Sequence, residues 1–313
     1  MNASPSPFHA GERAMQSLVG VRDVMEARGR QVIRDHMPDQ HRDFFAALPF
    51  VVIGALDAQG HPWATVMAGP PGFMDSPDPQ VLRLNAELLA DDPLAPSWHA
   101  GAPLGLLGIQ PHTRRRNRMN GVLTQVGEAG ALVAVRQSFG NCPKYIQPRR
   151  AVWMGGDGWP KEAPQVHAEG LDLSPQAMAI IQKADTFFIA SASLHAGGSD
   201  MASSEGVDVS HRGGPPGFVK VREEAEGTCL TVPDYTGNFM FNTLGNIVSN
   251  PKVGLLFIDF ASGALLWLQG WAHVDHDSPE QAEHKGALRL LRIRITQGRL
   301  HERGWPLAWE EGG

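Results

Sequence analysis

The segment Asp208-Val209-Ser210-His211-Arg212-Gly213-Gly214-Pro215-Pro216-Gly217-Phe218 gathers residue types that suit an anion. An arginine presents a planar fork of donors that matches phosphate oxygens. Adjacent glycines let backbone N–H groups come close to a negative charge, and the paired prolines stiffen the chain beyond them. The bland alternative is a turn carrying one solvated arginine. The glycine spacing is not that of a dinucleotide fingerprint. A second group lies at Asn242, Thr243 and Asn246, whose amides and hydroxyl open a short expected helix over 243–249. A helix N-terminus is a prepared anion site, although plain capping would use the same residues.

A third group is Thr113-Arg114-Arg115-Arg116-Asn117-Arg118. On a strand Arg114, Arg116 and Arg118 share one face and Arg115 takes the other. So many like charges repel, so some must meet an anion or acidic side chains. Arg116 and Arg118, if turned into a cleft, would hold an anionic ligand; a salt-bridged or solvated basic strand is the alternative. Other candidates are weaker. Cys142, beside Pro143, lacks a histidine in a recognisable frame and reads as a packed thiol rather than a nucleophile. His273 and His276 lack a third ligand, so no metal is expected. His211 is either a hydrogen-bonded structural residue or a proton donor.

These groups need a scaffold, and the sequence writes one twice. Gly69-Pro70-Pro71-Gly72-Phe73 recurs as Gly214-Pro215-Pro216-Gly217-Phe218, and Gly105 to Gly121 recurs in spacing as Gly254 to Gly270. The period, about 145 residues, is too long for a solenoid and points to two related β-rich modules with a ligand cleft between them. Strands are expected at 50–55, 63–67, 81–84, 104–109, 114–122, 131–137, 187–190, 228–232, 253–260, 265–274 and 287–296. Helices are expected within 14–48, over 85–99 and from Ser174-Pro175, with 1–13 frayed and 138–150 a loop or short helix. The expected division is a helical extension (1–40), a first repeat (41–153), a linker (154–173), a second repeat (174–300) and a tail (301–313). The fold class is mainly β (α+β), with two small antiparallel barrels and peripheral helices.

Composition narrows the function classes. The net charge of −6 and the lack of aromatics interleaved with the arginines argue against nucleic-acid binding. No run reaches the 18 or so apolar residues of a membrane helix, and the polar N-terminus lacks a signal core, so a cytoplasmic protein is expected. Two cysteines cannot hold an iron–sulfur cluster alone or form a secreted disulfide framework.

The order of a strand, a short helix ending in Asn250-Pro251-Lys252-Val253 and an apolar strand resembles the pyridoxamine 5′-phosphate oxidase-like, FMN-binding split-barrel superfamily. Ser210 to Phe218, Phe241-Asn242-Thr243-Leu244-Gly245-Asn246-Ile247 and Phe139-Gly140-Asn141-Cys142-Pro143-Lys144-Tyr145-Ile146 are similar to its tandem branch, with the likeness covering roughly 40–300. The resemblance implies two tandem split barrels forming a pseudo-dimer that binds FMN. It puts the flavin phosphate on Arg212, Asn242, Thr243 and Asn246, although the superfamily often has a lysine near the place of Thr243. Val209, Ser210, Pro216, Gly217 and Phe218 would flank the ring, with His211 and Gly213 in the same motif. Arg116 and Arg118 would hold the phosphate, the carbonyl edge or an anionic substrate, and Lys144 and Tyr145 would contact the ring or substrate. Because the second repeat has Leu265-Leu266-Trp267 where the first has arginines, one flavin site per chain is expected.

The implied activity is hydride transfer between a nicotinamide or separate redox partner and a small-molecule substrate. Branch members often continue into a reductase module and a 2Fe–2S domain; this chain stops after its second barrel, so a separate reductase is expected. The alternatives are a flavin carrier or sensor, FAD or a deazaflavin in place of FMN, and a heme-related activity. A homodimer of the chain stays open.

Overall fold

The computed structural model describes residues 5–89, 91–128, 130–156, 165–198 and 201–311. Seven strands build the first sheet: β1 (Phe50–Leu56), β2 (Pro62–Ala68), β3 (Met74–Asp78), β4 (Val81–Leu84), β5 (Pro103–Gln110), β6 (Arg115–Gly127) and β7 (Gly130–Gly140). After β8 (Arg149–Trp153) and β9 (Val166–Glu169) the second sheet uses β10 (Thr186–Ala192), β11 (Val207–Gly213), β12 (Lys220–Glu224), β13 (Gly227–Tyr235), β14 (Lys252–Asp259), β15 (Ala264–Asp275) and β16 (Ala287–His301). The last strand is β17 (Leu307–Glu311). The helices are α1 (Ala10–Leu18), α2 (Arg22–Val32), α3 (Asp39–Ala46), α4 (Pro175–Lys183) and α5 (Asn242–Ser249).

The first sheet runs β2-β1-β5-β6-β7-β4-β3 and the second β11-β10-β14-β15-β16-β13-β12. Strand for strand this is one order used twice, and β9 adds to β16 at the second sheet. The chain is therefore mainly β: two tandem split β-barrels with peripheral helices. Each barrel also bulges at the same place, between Asn120 and Gly121 in one and Gln269 and Gly270 in the other.

The matched pair Gly105 and Gly254 follows from how the barrels meet. A Cβ on Gly105 would sit 2.5 Å from the Val207 carbonyl oxygen, and one on Gly254 would sit 2.4 Å from that of Pro62. At both positions backbone crosses backbone between modules, so only a residue without a side chain fits. The apolar run Phe50-Val51-Val52-Ile53 is buried on both faces because one face lines its own barrel and the other meets the second. Phe188, Ala190, Val209 and Leu256 likewise join the first barrel's core, while Phe187, Ile189 and Leu255 fill their own.

Several expectations need correction. The fraying expected over 1–13 does not hold for the described residues 5–13: Phe8 is buried, and α1 is capped by His9, whose Nδ1 accepts from Gly11 N (3.2 Å). Glu12 completes that cap by accepting from His9 N (2.9 Å). No α-helix spans the described part of 85–99, only a 3₁₀ turn at Ala95–Ser97. Pro93 and Pro96 deny that stretch its amide donors, and Asp92 takes Leu94 N (2.8 Å) instead. Arg114 is not on β6: it closes a 3₁₀ turn in a left-handed conformation (φ 53°), so the strand alternation holds only for Arg115, Arg116 and Arg118. Residues 207–213, where no strand was expected and a turn was the bland alternative, form β11. Of the expected linker 154–173, β9 is one part and 157–164 lie outside the described residues. The strand expected at 287–296 continues to His301, and β17 pairs with β8. Among the described residues no helix is long and apolar enough to cross a membrane.

Candidate functional site

A cavity of about 140 Å³ opens where both barrels meet the start of α5. That is roughly ten times the space one water needs by the same measure. The first barrel contributes Arg116 and Arg118 of β6 and the loop after β7, with Asn141, Cys142, Lys144 and Tyr145. The second contributes Ser210 to Gly213 of β11, the end of β13, the segment leading into α5, and Arg289 of β16.

Arg118 is 3% exposed and spends both terminal nitrogens within the protein, while its Nε has no partner. Its Nη1 donates to Asp208 Oδ1 (2.8 Å), and its Nη2 to Val209 O (3.0 Å) and Ser210 Oγ (2.5 Å). It ties β6 to β11, and Asp208 answers its charge. Arg116 has no carboxylate. Its Nε donates to Cys142 O (2.7 Å) and its Nη1 to His211 Nδ1 (3.0 Å). Burial, reinforced by the neighbouring Arg118, pushes the Arg116 guanidinium down to about 10. His211 must accept at Nδ1, which assigns its proton to Nε2. Burial first, then Arg116, Arg149 and Arg212, hold the His211 ring neutral, well below the usual imidazole range. It is thus a neutral acceptor and not a reserve of protons at neutral pH.

Deeper in, one carboxylate faces two guanidiniums. Asp234 is ion-paired to Arg212 Nη1 and lies 3.4 Å from Arg289 Nε, a contact without hydrogen-bond geometry. Arg212 Nε, Arg289 Nε and Arg289 Nη1 are buried with no hydrogen-bond partner. The wall therefore carries Arg116, Lys144, Arg212 and Arg289 against Asp234, once the Arg118–Asp208 pair is set aside. Buried donors without acceptors are rare and costly in proteins. Gathered at one cavity, they give it donors that an anionic ligand would satisfy.

The rim is aromatic. Tyr145 and Tyr235 stack with centroids 5.2 Å apart, and Phe239 meets Phe241 edge to face at 6.1 Å. Tyr145, Phe239 and Phe241 all adopt positive φ (66°, 61° and 63°). Left-handed backbone is unfavourable for aromatic residues, and such strain concentrates at ligand sites. Gly213 is needed here as well, since a Cβ on it would lie 2.1 Å from Tyr145 O.

The four expected phosphate ligands separate. Arg212 is on the wall, as are Asn242 and Thr243. Asn242 Nδ2 already donates to Glu12 Oε1 (2.5 Å), and Thr243 Oγ1 to Ser210 Oγ (2.9 Å). Asn246 is fully buried off the wall, with its Nδ2 on Asp208 Oδ2 (2.9 Å) and Ser191 Oγ (3.1 Å). Neither Asn242 nor Thr243 caps α5, whose N-cap Phe241 offers no side-chain acceptor. The first turn of α5 starts on the cavity wall and leaves its amides without a capping side chain, which suits an anion. Ser210, His211, Gly213, Phe218, Arg116, Arg118, Lys144 and Tyr145 also line the cavity; Val209, Pro216 and Gly217 do not.

Sequence reasoning missed Asp234 and Arg289 as a pair, and Glu12 altogether. Burial, then the charge of Asp208, raises the Glu12 carboxyl well above the usual range. Nothing distinguishes Arg289 from Arg292 and Arg294 along β16, and the one signal at Glu12 was the His9–Glu12 capping box, which has a purely local reading.

No family model and no curated protein matches this sequence. Among solved structures the chain is similar to HutZ, described as a heme storage protein from Vibrio cholerae, at 14% identity over 43% of this chain and 97% of that one (TM-score 0.28). It is similar to an FAD-binding protein from Mesorhizobium loti at 12% identity, covering 44% and 97% (TM-score 0.27). A candidate pyridoxamine 5′-phosphate oxidase from Lactobacillus delbrueckii matches at 16%, covering 41% and 93% (TM-score 0.30). Likenesses this distant decide nothing about ligand or activity.

Proposed function

We propose that this chain is a flavoprotein that binds FMN in the cavity between its barrels and acts as an oxidoreductase. The observation that carries the reading is the wall itself: four cationic side chains against one carboxylate, beneath an aromatic rim. A phosphorylated planar ring needs both. Its phosphate would sit among Arg116, Lys144, Arg212 and Arg289, beside the first turn of α5, and its ring against Tyr145, Tyr235, Phe239 and Phe241. This assignment shifts the phosphate away from Asn242 and Asn246, whose amide donors have protein partners.

When bound, the flavin supplies hydride transfer; the protein's part is to grip the anion, orient the ring and choose what reaches its open face. Arg118 with Asp208 holds β6 and β11 together under the cavity. Neutral His211 keeps Arg116 aimed into the cavity by accepting its Nη1. The shared strand order and bulge positions are what an internal duplication leaves behind, and support reading the cleft as an internalised dimer interface.

The test is titration of flavin-free protein with FMN, monitored by flavin fluorescence, then anaerobic addition of NADH or NADPH. Saturable quenching with bleaching of the flavin band supports an oxidoreductase. Quenching without reduction by either nucleotide, alone or with a flavin reductase added, supports the carrier or sensor, and no quenching rejects the flavin reading.

A further inference from the structure

The two barrels should offer two equivalent seats, and the register shows what became of the second. Phe50↔Ala68 and Thr186↔Gly213 equate β2 with β11, while Gly105↔Asn120 and Gly254↔Gln269 equate β6 with β15. Asn117↔Gly140 and Leu266↔Leu300 equate the ends of β7 and β16. The same offset carries β8 onto β17, and their pairs Arg149↔Glu311 and Ala151↔Trp309 exchange under it, as a twofold axis requires.

Residue by residue, the walls then diverge. Leu265 stands for Arg116, Trp267 for Arg118, His301 for Asn141, Trp305 for Tyr145, Val66 for His211 and Met67 for Arg212. None of these six is more than 2% exposed, whereas Tyr145 in the open seat is 40% exposed. At the Arg118 position a hydrogen bond survives the exchange: Trp267 Nε1 donates to Thr65 Oγ1 (3.2 Å) where Arg118 Nη2 donates to Ser210 Oγ (2.5 Å). The indole thus lies along the path of the guanidinium it replaces, against the His301 ring (5.5 Å), while Trp305 packs on Phe50 (5.5 Å).

We infer that Trp267 and Trp305 plug a second, pseudo-symmetric seat, so that the chain takes one anionic ring ligand and uses the other seat as core. The ligand part rests on the proposed FMN binding; the plug does not. Isothermal titration of the full chain with FMN reads the first part, with one equivalent per chain expected and two overturning it. Thermal denaturation of W267A with and without indole reads the second. W267A is expected to melt on the order of 5–10 °C lower, with indole restoring several degrees to the variant and none to the wild type. An indole response no larger than that of the wild type overturns the plug. If W267A does not fold, W267F with benzene makes the same comparison in a smaller void. Failure of FMN to bind removes the functional reading, and the void measurement then decides the plug by itself.

Discussion

Arg289 offers a clean separation between a structural and a ligand-binding cation. It is 4% exposed, its Nε and Nη1 have no hydrogen-bond partner, and its guanidinium carbon lies 5.2 Å from the Phe241 ring centroid. R289M keeps an apolar stem over that ring and removes the charge. Asp234 retains its ion pair with Arg212, so the empty protein gives up only the long contact to Arg289 and is relieved of a buried charge. Its stability should stay near that of wild type, because removing a buried charge offsets the lost contact while Asp234 keeps its Arg212 partner. The ligand loses at least one charge-assisted hydrogen bond to phosphate, about 1.5–3 kcal/mol, which is roughly a 10- to 150-fold rise in Kd. Parallel fluorescence titrations with FMN and riboflavin isolate the phosphate: the loss should appear for FMN and be absent for riboflavin. Equal losses for both ligands, or a fall in Tm with FMN affinity unchanged, would refute the reasoning by making Arg289 a packing residue.

The same geometry sets three further outcomes. R118M should destabilise by about 3–5 kcal/mol in urea denaturation, because it strands buried Asp208 beside two asparagines; a loss under 1 kcal/mol contradicts the keystone role. Asp92, on Thr65 and Leu94 N, is raised by burial from 3.8 to about 6. A raised carboxyl contributes stability below its unfolded pKa and loses it as pH rises through the folded one, so D92N should gain on wild type between pH 4 and 7. The gain approaches about 3 kcal/mol at two pKa units, and parallel Tm curves across that window would count against it. G245A places a Cβ 2.5 Å from the backbone N of Glu12, so despite its better helix propensity it should lose about 1–3 kcal/mol and expose α1 to limited proteolysis.

Much of the scaffold was legible because it rests on local rules. The β14–β15 hairpin, α5 to within a residue, and β1 and β2 all come from apolar runs and turn residues that need no distant partner. The doubled glycines were visible too, although the cause at Gly105 and Gly254, backbone crossing backbone between barrels, was not. Two misreadings share a source in local composition. Ala, Leu and Glu suit a helix over 85–99 although two prolines deny it, and Gly213-Gly214 drew attention to a loop where Val207, Val209, His211 and Gly213 of β11 are buried along a strand. The site was half legible: the arginines, Lys144 and Tyr145 announced themselves by type. Their partners did not, because Glu12 reaches Asn242 across 230 residues and Asp234 meets Arg212 only once β13 and β11 are folded into one barrel.

The most direct measurement is the absorbance and mass of whatever is released on denaturing the full chain purified without added flavin. A phosphorylated isoalloxazine, close to one per chain, is the expected result. A released ligand without an anionic group, or protein that yields no chromophore at all, would contradict a site in which four cationic side chains face one carboxylate beneath an aromatic rim.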